Sequence, residues 1–502
     1  MAHFEDNNGQ NENRTREGAD RGMSGGSRRK FLKLMGSASV AAVGLGAQMR
    51  GAKPPQAKTN SPAALDKVTQ VDVVVIGGGF AGTTAARECC KAGLRTVLLE
   101  ARNRLGGRTF YSRFGDDPVE LGGAYIHWFQ PNIWSEVLHY GLPVIEPPGI
   151  TTPQKLMWLS EGKVKEPPLD QALAMFSDGM KKFNQDAPKI FPRPYDNFRE
   201  ADLVKKYSGL SIMDRIGQIN LPAEQADLVQ GMMELCASSS VRQAAYLDMA
   251  KWWALSGNDL FLMDDALARY KFENGTISLI NAMVEDAKIP VFISAPVAKV
   301  KQDVNGVEVT VQGGKVVKAK RAIVAVPLNV LQYIEFEPSL SPAKLEASKE
   351  RHSGHGVMVY MRVKGPIPAF WALAHDPEPL SAIWMERASQ RDSLICATGS
   401  SPELIDIHDA GQVQSALRKF FPEAEVEETM GYDWTVDPYS RGTWCVYRPN
   451  QLTRYWAEFR KPEGNVYLAS SDWANGWRGF MDGAVESGRH FGQLTVRSLA
   501  HS

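Results

Sequence analysis

The run Gly77-Gly78-Gly79-Phe80-Ala81-Gly82 follows directly on the apolar stretch Val71-Asp72-Val73-Val74-Val75-Ile76. Glycines at the first, third and sixth positions behind a buried strand predict the opening turn of a dinucleotide-binding βαβ unit. Gly77 permits the turn, Gly79 lets backbone approach a phosphate, and Gly82 lets helix and strand pack closely. Phe80 and Ala81 begin a helix whose unpaired N–H groups and positive dipole end suit a pyrophosphate. The next strand, Arg95-Thr96-Val97-Leu98-Leu99, ends in Glu100, placed to bind ribose hydroxyls. Glycine-rich turns are common. The order strand, turn, helix, strand and acid separates this one from a plain structural turn.

Glu100 opens Glu100-Ala101-Arg102-Asn103-Arg104-Leu105-Gly106-Gly107-Arg108. A nicotinamide enzyme has no need of this second glycine-arginine turn, whereas the stretch closely resembles that of FAD enzymes of the flavin-dependent amine oxidase family, the family of monoamine oxidase. The resemblance places Ala101, Arg102 and Gly107 along the FAD pyrophosphate and ribityl chain, with Arg108 supplying charge there. Glu120-Leu121-Gly122-Gly123-Ala124-Tyr125-Ile126 is similar to the next family segment, in which Gly123, Ala124, Tyr125 and Ile126 pass close to the flavin ring. Read alone, Gly122-Gly123 is equally an ordinary loop. Near the C-terminus, the strand Asn465-Val466-Tyr467-Leu468-Ala469 and the helix opening Asp482-Gly483-Ala484-Val485-Glu486-Ser487-Gly488 are similar to the family's closing βα unit. Asp482, Ala484 and, from a strand in the middle of the chain, Val297 are implied as further cofactor contacts. The resemblance runs over nearly all of 68–500.

Two aromatic rings stand over the flavin in this family and hold the amine between them. They match Trp444, in Arg441-Gly442-Thr443-Trp444, and Phe480, ahead of the last helix. Such a pair steers an amine and favours its developing positive charge, although both residues also read as ordinary core aromatics. Trp128 and Trp384 are expected as pocket walls or as plain packing. Three departures qualify the match. Thr443 stands where mammalian-type members attach flavin through cysteine, so FAD is expected to be non-covalent. Cys445 lies one residue past the cage position, on the opposite side of an expected strand. Met358 stands where many members carry a lysine that assists oxygen. Ser470-Ser471-Asp472 replaces Gly-x-Glu, leaving Asp472 as a shorter acceptor.

The implied reaction is loss of a hydride equivalent from the α-carbon of a neutral amine, followed by imine hydrolysis. No histidine base is required, so His127, His352 and His355 carry no assigned role. Within the family the chain most resembles bacterial enzymes acting on nicotine or on its ring-opened product pseudooxynicotine, on the stretches Gly123 to Pro131, Tyr432-Asp433-Trp434-Thr435 and Asn475-Gly476-Trp477. A polyamine oxidase, an L-amino-acid oxidase, a desaturase and a non-catalytic flavoprotein stay open; no arginine stands out as a carboxylate clamp, and Arg478, beside the cage, keeps the amino-acid reading open. The electron acceptor is a cytochrome c-type carrier or O2, and homodimers are common among such enzymes.

The elements that must position these residues give an α/β class. The expected architecture is a discontinuous Rossmann-like FAD-binding domain (68–150, 271–330 and 465–502) with an inserted α+β substrate domain (151–270 and 331–464). Residues 151–270 read as mostly helical. Strands are expected through 289–326, with a hairpin at Asn305-Gly306, and at 355–363 and 380–398. The 502 residues carry 57 basic and 57 acidic side chains, so no charge excess points to nucleic acid. Five cysteines, Cys89, Cys90, Cys236, Cys396 and Cys445, show no metal-ligand spacing, and no metal is expected. Ser27-Arg28-Arg29-Lys30-Phe31-Leu32-Lys33, ahead of the mild apolar run Leu34 to Ala47, predicts a twin-arginine signal within 1–52 and a periplasmic destination, without stable membrane insertion. Residues 53–67 read as a linker.

Overall fold

The stretch Val71 to Ile76 is apolar on both faces, as a strand covered on both sides must be. In the structure, a computed structural model that describes residues 57–68, 70–147 and 153–500, it lies centrally in a mixed sheet. Strand Gln70–Ile76 pairs in parallel with Thr96–Leu99 on one edge and Val316–Val324 on the other. Beyond Thr96–Leu99 the parallel pairing continues to Val291–Phe292 and Thr59–Asn60. Strand Val316–Val324 divides its far edge. Its last residues pair in parallel with Val466–Leu468, while its first half pairs antiparallel with Gly306–Val311. From there the sheet continues through Val297–Asp303 to Glu335–Glu337.

Helices Phe80–Lys91 and Met481–Ala500 pack tightly together. Small residues allow this approach: a Cβ at Gly488 would overlap the Ala81 carbonyl oxygen, and one at Gly492 would lie 3.1 Å from the Ala85 Cα. Two ends of the chain are thereby joined beside the central strand.

A second sheet of seven strands runs in the order Val426–Asp433, Val357–Lys364, Asp392–Gly399, Ala382–Ala388, Phe370–Leu373, Lys155–Ser160 and Lys163–Lys165. Its pairings are antiparallel except that between Phe370–Leu373 and Lys155–Ser160. Side chains alternate between its faces. Met358, Thr398, Trp384 and Trp371 share one face by register. Val359, Met361, Ile383, Ile395 and Ala397 share the other, in an apolar cluster with Val413 and Leu417 of helix Ala410–Leu417. Helices between Leu169 and Ala268 fill most of the expected helical stretch.

Several expectations need correction. Within the expected linker, Thr59–Asn60 is an edge strand and Pro62–Lys67 a short 3-10 helix, because unpaired backbone of Val291–Phe292 offers the segment a ladder. The mostly helical stretch begins with the two strands at 155–165. The boundary drawn at 330 falls too early, since Glu335–Glu337 belongs to the first sheet. Arg441 to Cys445 is extended loop rather than strand. The described residues form one compact unit, and a single apolar core runs from the first sheet into the helices and the second sheet. The expected signal lies outside the described residues. Among the described residues no helix is long and apolar enough to cross a membrane.

Candidate active site

Three strand ends converge at one crevice. Gly77 N–H donates to the Leu99 carbonyl at 2.7 Å, and Ala325 N–H donates to the Ile76 carbonyl at 2.7 Å. Gly77 adopts φ +110°, and a Cβ there would sit 2.5 Å from the Ala325 carbonyl oxygen, so the turn requires glycine. Helix Phe80–Lys91 starts here with Gly79 as its N-cap and no side chain bonded to its first N–H groups. Gly79 and Gly107 face each other across a narrow gap, where a Cβ on Gly107 would lie 3.3 Å from the Gly79 Cα. The result is a backbone cradle at a helix N-terminus, suited to phosphate. Glu100 stands at its side, with one carboxylate oxygen accepting from Gly78 N–H at 2.6 Å and the other from Arg102 N–H at 2.8 Å. Arg102 is itself neutralised by Asp437 and bonded to Ser440 Oγ at 2.8 Å.

The cradle is one end of a cavity of about 540 Å3. Gly77, Gly79, Phe80, Ala81, Glu100, Ala101, Arg102, Gly107 and Arg108 all line it, as do Gly123, Tyr125, Val297 and Ala484. Arg108 bonds Asp472 at 2.5 Å, Ser471 Oγ at 2.9 Å and the Thr443 carbonyl at 3.0 Å. Asp472 is fully buried behind the wall and also accepts from Leu328 N–H at 2.8 Å. Burial alone would raise its pKa, but the Arg108 guanidinium holds it below the usual carboxylate value. Asp472 therefore fixes Arg108 rather than touching the cavity. Cys445 and His352 lie behind the same wall, with one ligand atom from each and one from Asp472 all within 4.8 Å. Burial holds the Cys445 thiol up and lowers His352 to about 3, so both are neutral there. The cation beside Asp472 is Arg108. Sequence spacing gave no sign of this meeting.

The other end is walled by side chains. Trp444 and Phe480 both face the cavity, together with Trp384, Trp252, Met358 and Thr443. Trp444 Nε1 donates to the Cys236 carbonyl at 2.8 Å, which fixes the indole. Phe480 packs edge-on against Trp252 and Trp477, with centroids at 4.7 and 5.0 Å. Trp384 is held by Glu386, which accepts its Nε1–H at 2.8 Å and also pairs with Lys271 at 2.6 Å. Buried polar atoms with no protein partner collect on this cavity: Asp264 Oδ1, Trp371 Nε1, Thr398 Oγ1 and Thr443 Oγ1. Buried polar groups are normally paired, so this wall is unusually short of internal partners.

Besides Asp472, five expected site residues fall elsewhere: Gly82, Ala124, Ile126, Asp482 and Trp128. Gly82 lies under the turn, where a Cβ would overlap the Gly77 carbonyl oxygen; its role is packing. Ala124 and Ile126 are buried off the cavity, because alternation along Tyr125–Ile126 turns Tyr125 inward and Ile126 away. Asp482 accepts from Asn132 N–H at 2.6 Å and Ile133 N–H at 2.9 Å, so its carboxylate caps helix Pro131–Tyr140 instead of meeting a cofactor. Trp128 is 36% exposed and packs on His127, Trp134 and Tyr270 at the surface. Arg478, the candidate carboxylate clamp, is buried against Asp248 and stacked on Tyr447 at 4.2 Å, away from the cavity wall. Trp252, Asp264, Trp371 and Thr398 went unrecognised, because nothing local in the sequence separates them from core or helix-surface residues.

A nucleotide-type cradle joined to an aromatic-walled pocket defines a flavin oxidoreductase site. Residues 80–491 match the family model described as flavin containing amine oxidoreductase, and the chain belongs to that family. It is 40% identical over 485 residues to pseudooxynicotine dehydrogenase of a Pseudomonas species, covering 96% of this chain and 97% of that one. It is 36% identical to nicotine dehydrogenase of Pseudomonas putida, covering 95% and 98%. Among solved structures, putrescine oxidase bound to putrescine superposes with a TM-score of 0.73 at 21% identity, over 85% of this chain and 99% of that one. That last likeness concerns the fold.

Proposed function

We propose that this chain is a non-covalent FAD enzyme that oxidises pseudooxynicotine, giving 4-oxo-4-(pyridin-3-yl)butanal and methylamine. The observation that carries the reading is one continuous cavity with the glycine cradle at one end and Trp444 and Phe480 at the other. The relatives named for pseudooxynicotine and nicotine support the substrate class. In this reading the first sheet and the helices Phe80–Lys91 and Met481–Ala500 form a discontinuous Rossmann-like FAD domain. The seven-stranded sheet and the helices between 169 and 268 form the inserted substrate domain.

Bound FAD supplies the two-electron acceptor for the amine's α C–H bond. The helix N-terminus at Phe80 and the Gly79/Gly107 cradle hold the pyrophosphate, Glu100 binds ribose hydroxyls, and Arg108, fixed by Asp472, places positive charge along the chain of the cofactor. Trp444 and Phe480 orient the amine, and their apolar surroundings exclude water and favour its neutral form. Thr443 offers no thiol for attachment, and the Cys445 sulfur faces the Asp472 carbonyl at 3.8 Å, away from the cavity.

Among the described residues no lysine lines the cavity, and Met358 occupies the wall where an ammonium would aid oxygen. This favours a carrier such as a cytochrome c over O2 as acceptor. The twin-arginine stretch Ser27 to Lys33 supports export to the periplasm, where such carriers are found. An amino-acid substrate is disfavoured. Arg478 is committed to Asp248, and Arg441, which does line the cavity, stacks on Tyr333 beside the Ser440 that bonds Arg102 at the cradle end.

The test is anaerobic. Pseudooxynicotine, nicotine and putrescine are added separately to the FAD-loaded enzyme, and bleaching of the visible flavin band is followed. Rapid bleaching by pseudooxynicotine is expected, with slow reoxidation on admitting air. Failure of every amine to bleach a fully loaded flavin overturns the substrate class. Fast peroxide-forming turnover in air overturns the acceptor assignment.

A further inference from the structure

Helix Leu260–Ala268 carries three neighbouring carboxyl groups with three different fates. Asp259 caps the helix, accepting from Phe261 N–H at 2.9 Å and Leu262 N–H at 3.2 Å. Asp265 turns outward to His127 Nε2 at 3.0 Å and Arg269 at 3.2 Å. Asp264 has no hydrogen-bond or ion-pair partner among the described residues. Its side chain is half-buried and lines the cavity: Oδ1 is sealed with nothing to bond, which leaves Oδ2 as the oxygen a ligand can reach. Near it are Cys236, whose carbonyl anchors the cage Trp444, and, one turn on in the same helix, the cavity-lining Leu267 and Ala268. An unpaired carboxyl on a cavity wall is costly, and such groups persist where a ligand completes them.

The chemistry of the group selects the ligand. Burial, reinforced by the neighbouring charges of Asp259 and Asp265, raises the Asp264 pKa well above the carboxylate range, so without ligand the group is a neutral acid and a hydrogen-bond donor. A donor on this wall, beside the side chains of Thr398 and Thr443, calls for an acceptor on the substrate. The reacting amine is a poor candidate, because a hydrogen bond to its lone pair would oppose formation of the iminium. A second nitrogen, basic but not reacting, fits.

We infer that the carboxyl of Asp264 hydrogen-bonds the non-reacting, pyridine-type nitrogen of the substrate and thereby selects heteroaromatic amines over their carbocyclic analogues. This rests on the amine-oxidation reading above, and it names what distinguishes the substrates of this site. A site that hydrogen-bonds a substrate atom discriminates strongly against the analogue lacking that atom, since the buried group is then left unpaired.

The experiment separates this inference from the parent reading by using ligands that cannot be oxidised. Pyridyl propyl ketone and phenyl propyl ketone differ only at the ring nitrogen, and neither carries an amine. Each is titrated into the FAD-loaded enzyme, and into Asp264→Asn and Asp264→Leu, with the flavin visible spectrum reporting both binding and the integrity of each variant. The intact enzyme is expected to bind the pyridyl ketone roughly tenfold or more tightly than the phenyl ketone. In Asp264→Leu that ratio falls to about one. Asp264→Asn, which keeps an N–H donor, restores part of it. A ratio near one in the intact enzyme, or a ratio that survives in Asp264→Leu, overturns the assignment. Because binding is read without turnover, this result stands apart from whether pseudooxynicotine bleaches the flavin.

Discussion

The two ends of the cavity are built on opposite principles. The cradle end is made of backbone: Gly77 closes on the Ala325 carbonyl, Gly79 and Gly107 close on each other, and the charges there, Glu100, Arg102 and Arg108, are each held by a protein partner. The cage end is made of side chains drawn from distant parts of the chain, such as Trp252, Trp384, Trp444 and Phe480, and it leaves Asp264, Trp371 and Thr398 without partners. At the first end the charged side chains are already paired and only the backbone N–H groups of the helix start are left for a ligand. The second is completed only by its ligand. A shared fold with putrescine oxidase is therefore compatible with a different substrate, because specificity sits where the packing is side-chain built.

The strongest way to break this contrast is at the cradle. Gly82→Ala puts a methyl group into the Gly77 carbonyl, forcing helix and turn apart. A loss of about 4 kcal/mol or more is expected, with little flavin retained, measured by thermal melting and by the visible band of the purified protein. At the cage, Trp444→Ala removes one wall and the bond to Cys236 but leaves the cradle intact. Flavin content should hold while anaerobic flavin reduction slows on the order of a hundredfold. Equal loss of flavin in both variants would erase the distinction between the ends.

Asp482 sharpens the comparison, since it belongs to neither end. Burial pushes its carboxyl up to about 6 from an ordinary 3.8, against the Ile133 and Asn132 N–H groups that pull it down. The folded chain thus keeps a proton that the unfolded chain sheds between about pH 4 and 6. Stability should fall as pH rises through that window, by at most about 3 kcal/mol. Urea unfolding at several pH values should show this slope in the parent and lose it in Asp482→Asn, with flavin reduction little altered. The smallest effect is expected at Trp128→Ala: its exposed ring lies off the cavity, so substrate affinity should change by less than about threefold. A larger change would put Trp128 back among the pocket walls.

The same contrast explains what the sequence made legible. Gly77 to Gly82, Glu100 and Gly107-Arg108 act through local geometry, and local geometry is written in consecutive residues. Trp444 and Phe480 were reachable through resemblance alone, since neither their spacing nor their composition marks them. Trp128 and Asp482 show where this fails. Both sit in matching stretches, yet the Asp482 carboxylate turns to the N-terminus of another helix, and Trp128 turns to a surface cluster. Asp264 was invisible for the opposite reason. Amid Asp259 and Asp265 it reads as one more acid on a solvated helix face, and only tertiary packing shows which of the three is stranded.

Strand Val316–Val324 has a consequence for how the protein is made. It receives Gln70–Ile76 from early in the chain and Val466–Leu468 from late in it. The wall that includes Ser470, Phe480 and Ala484 follows that last strand. During synthesis, then, nearly the whole polypeptide must leave the ribosome before the pocket has all its sides. A cofactor therefore meets a complete pocket only after those late residues have joined the early ones.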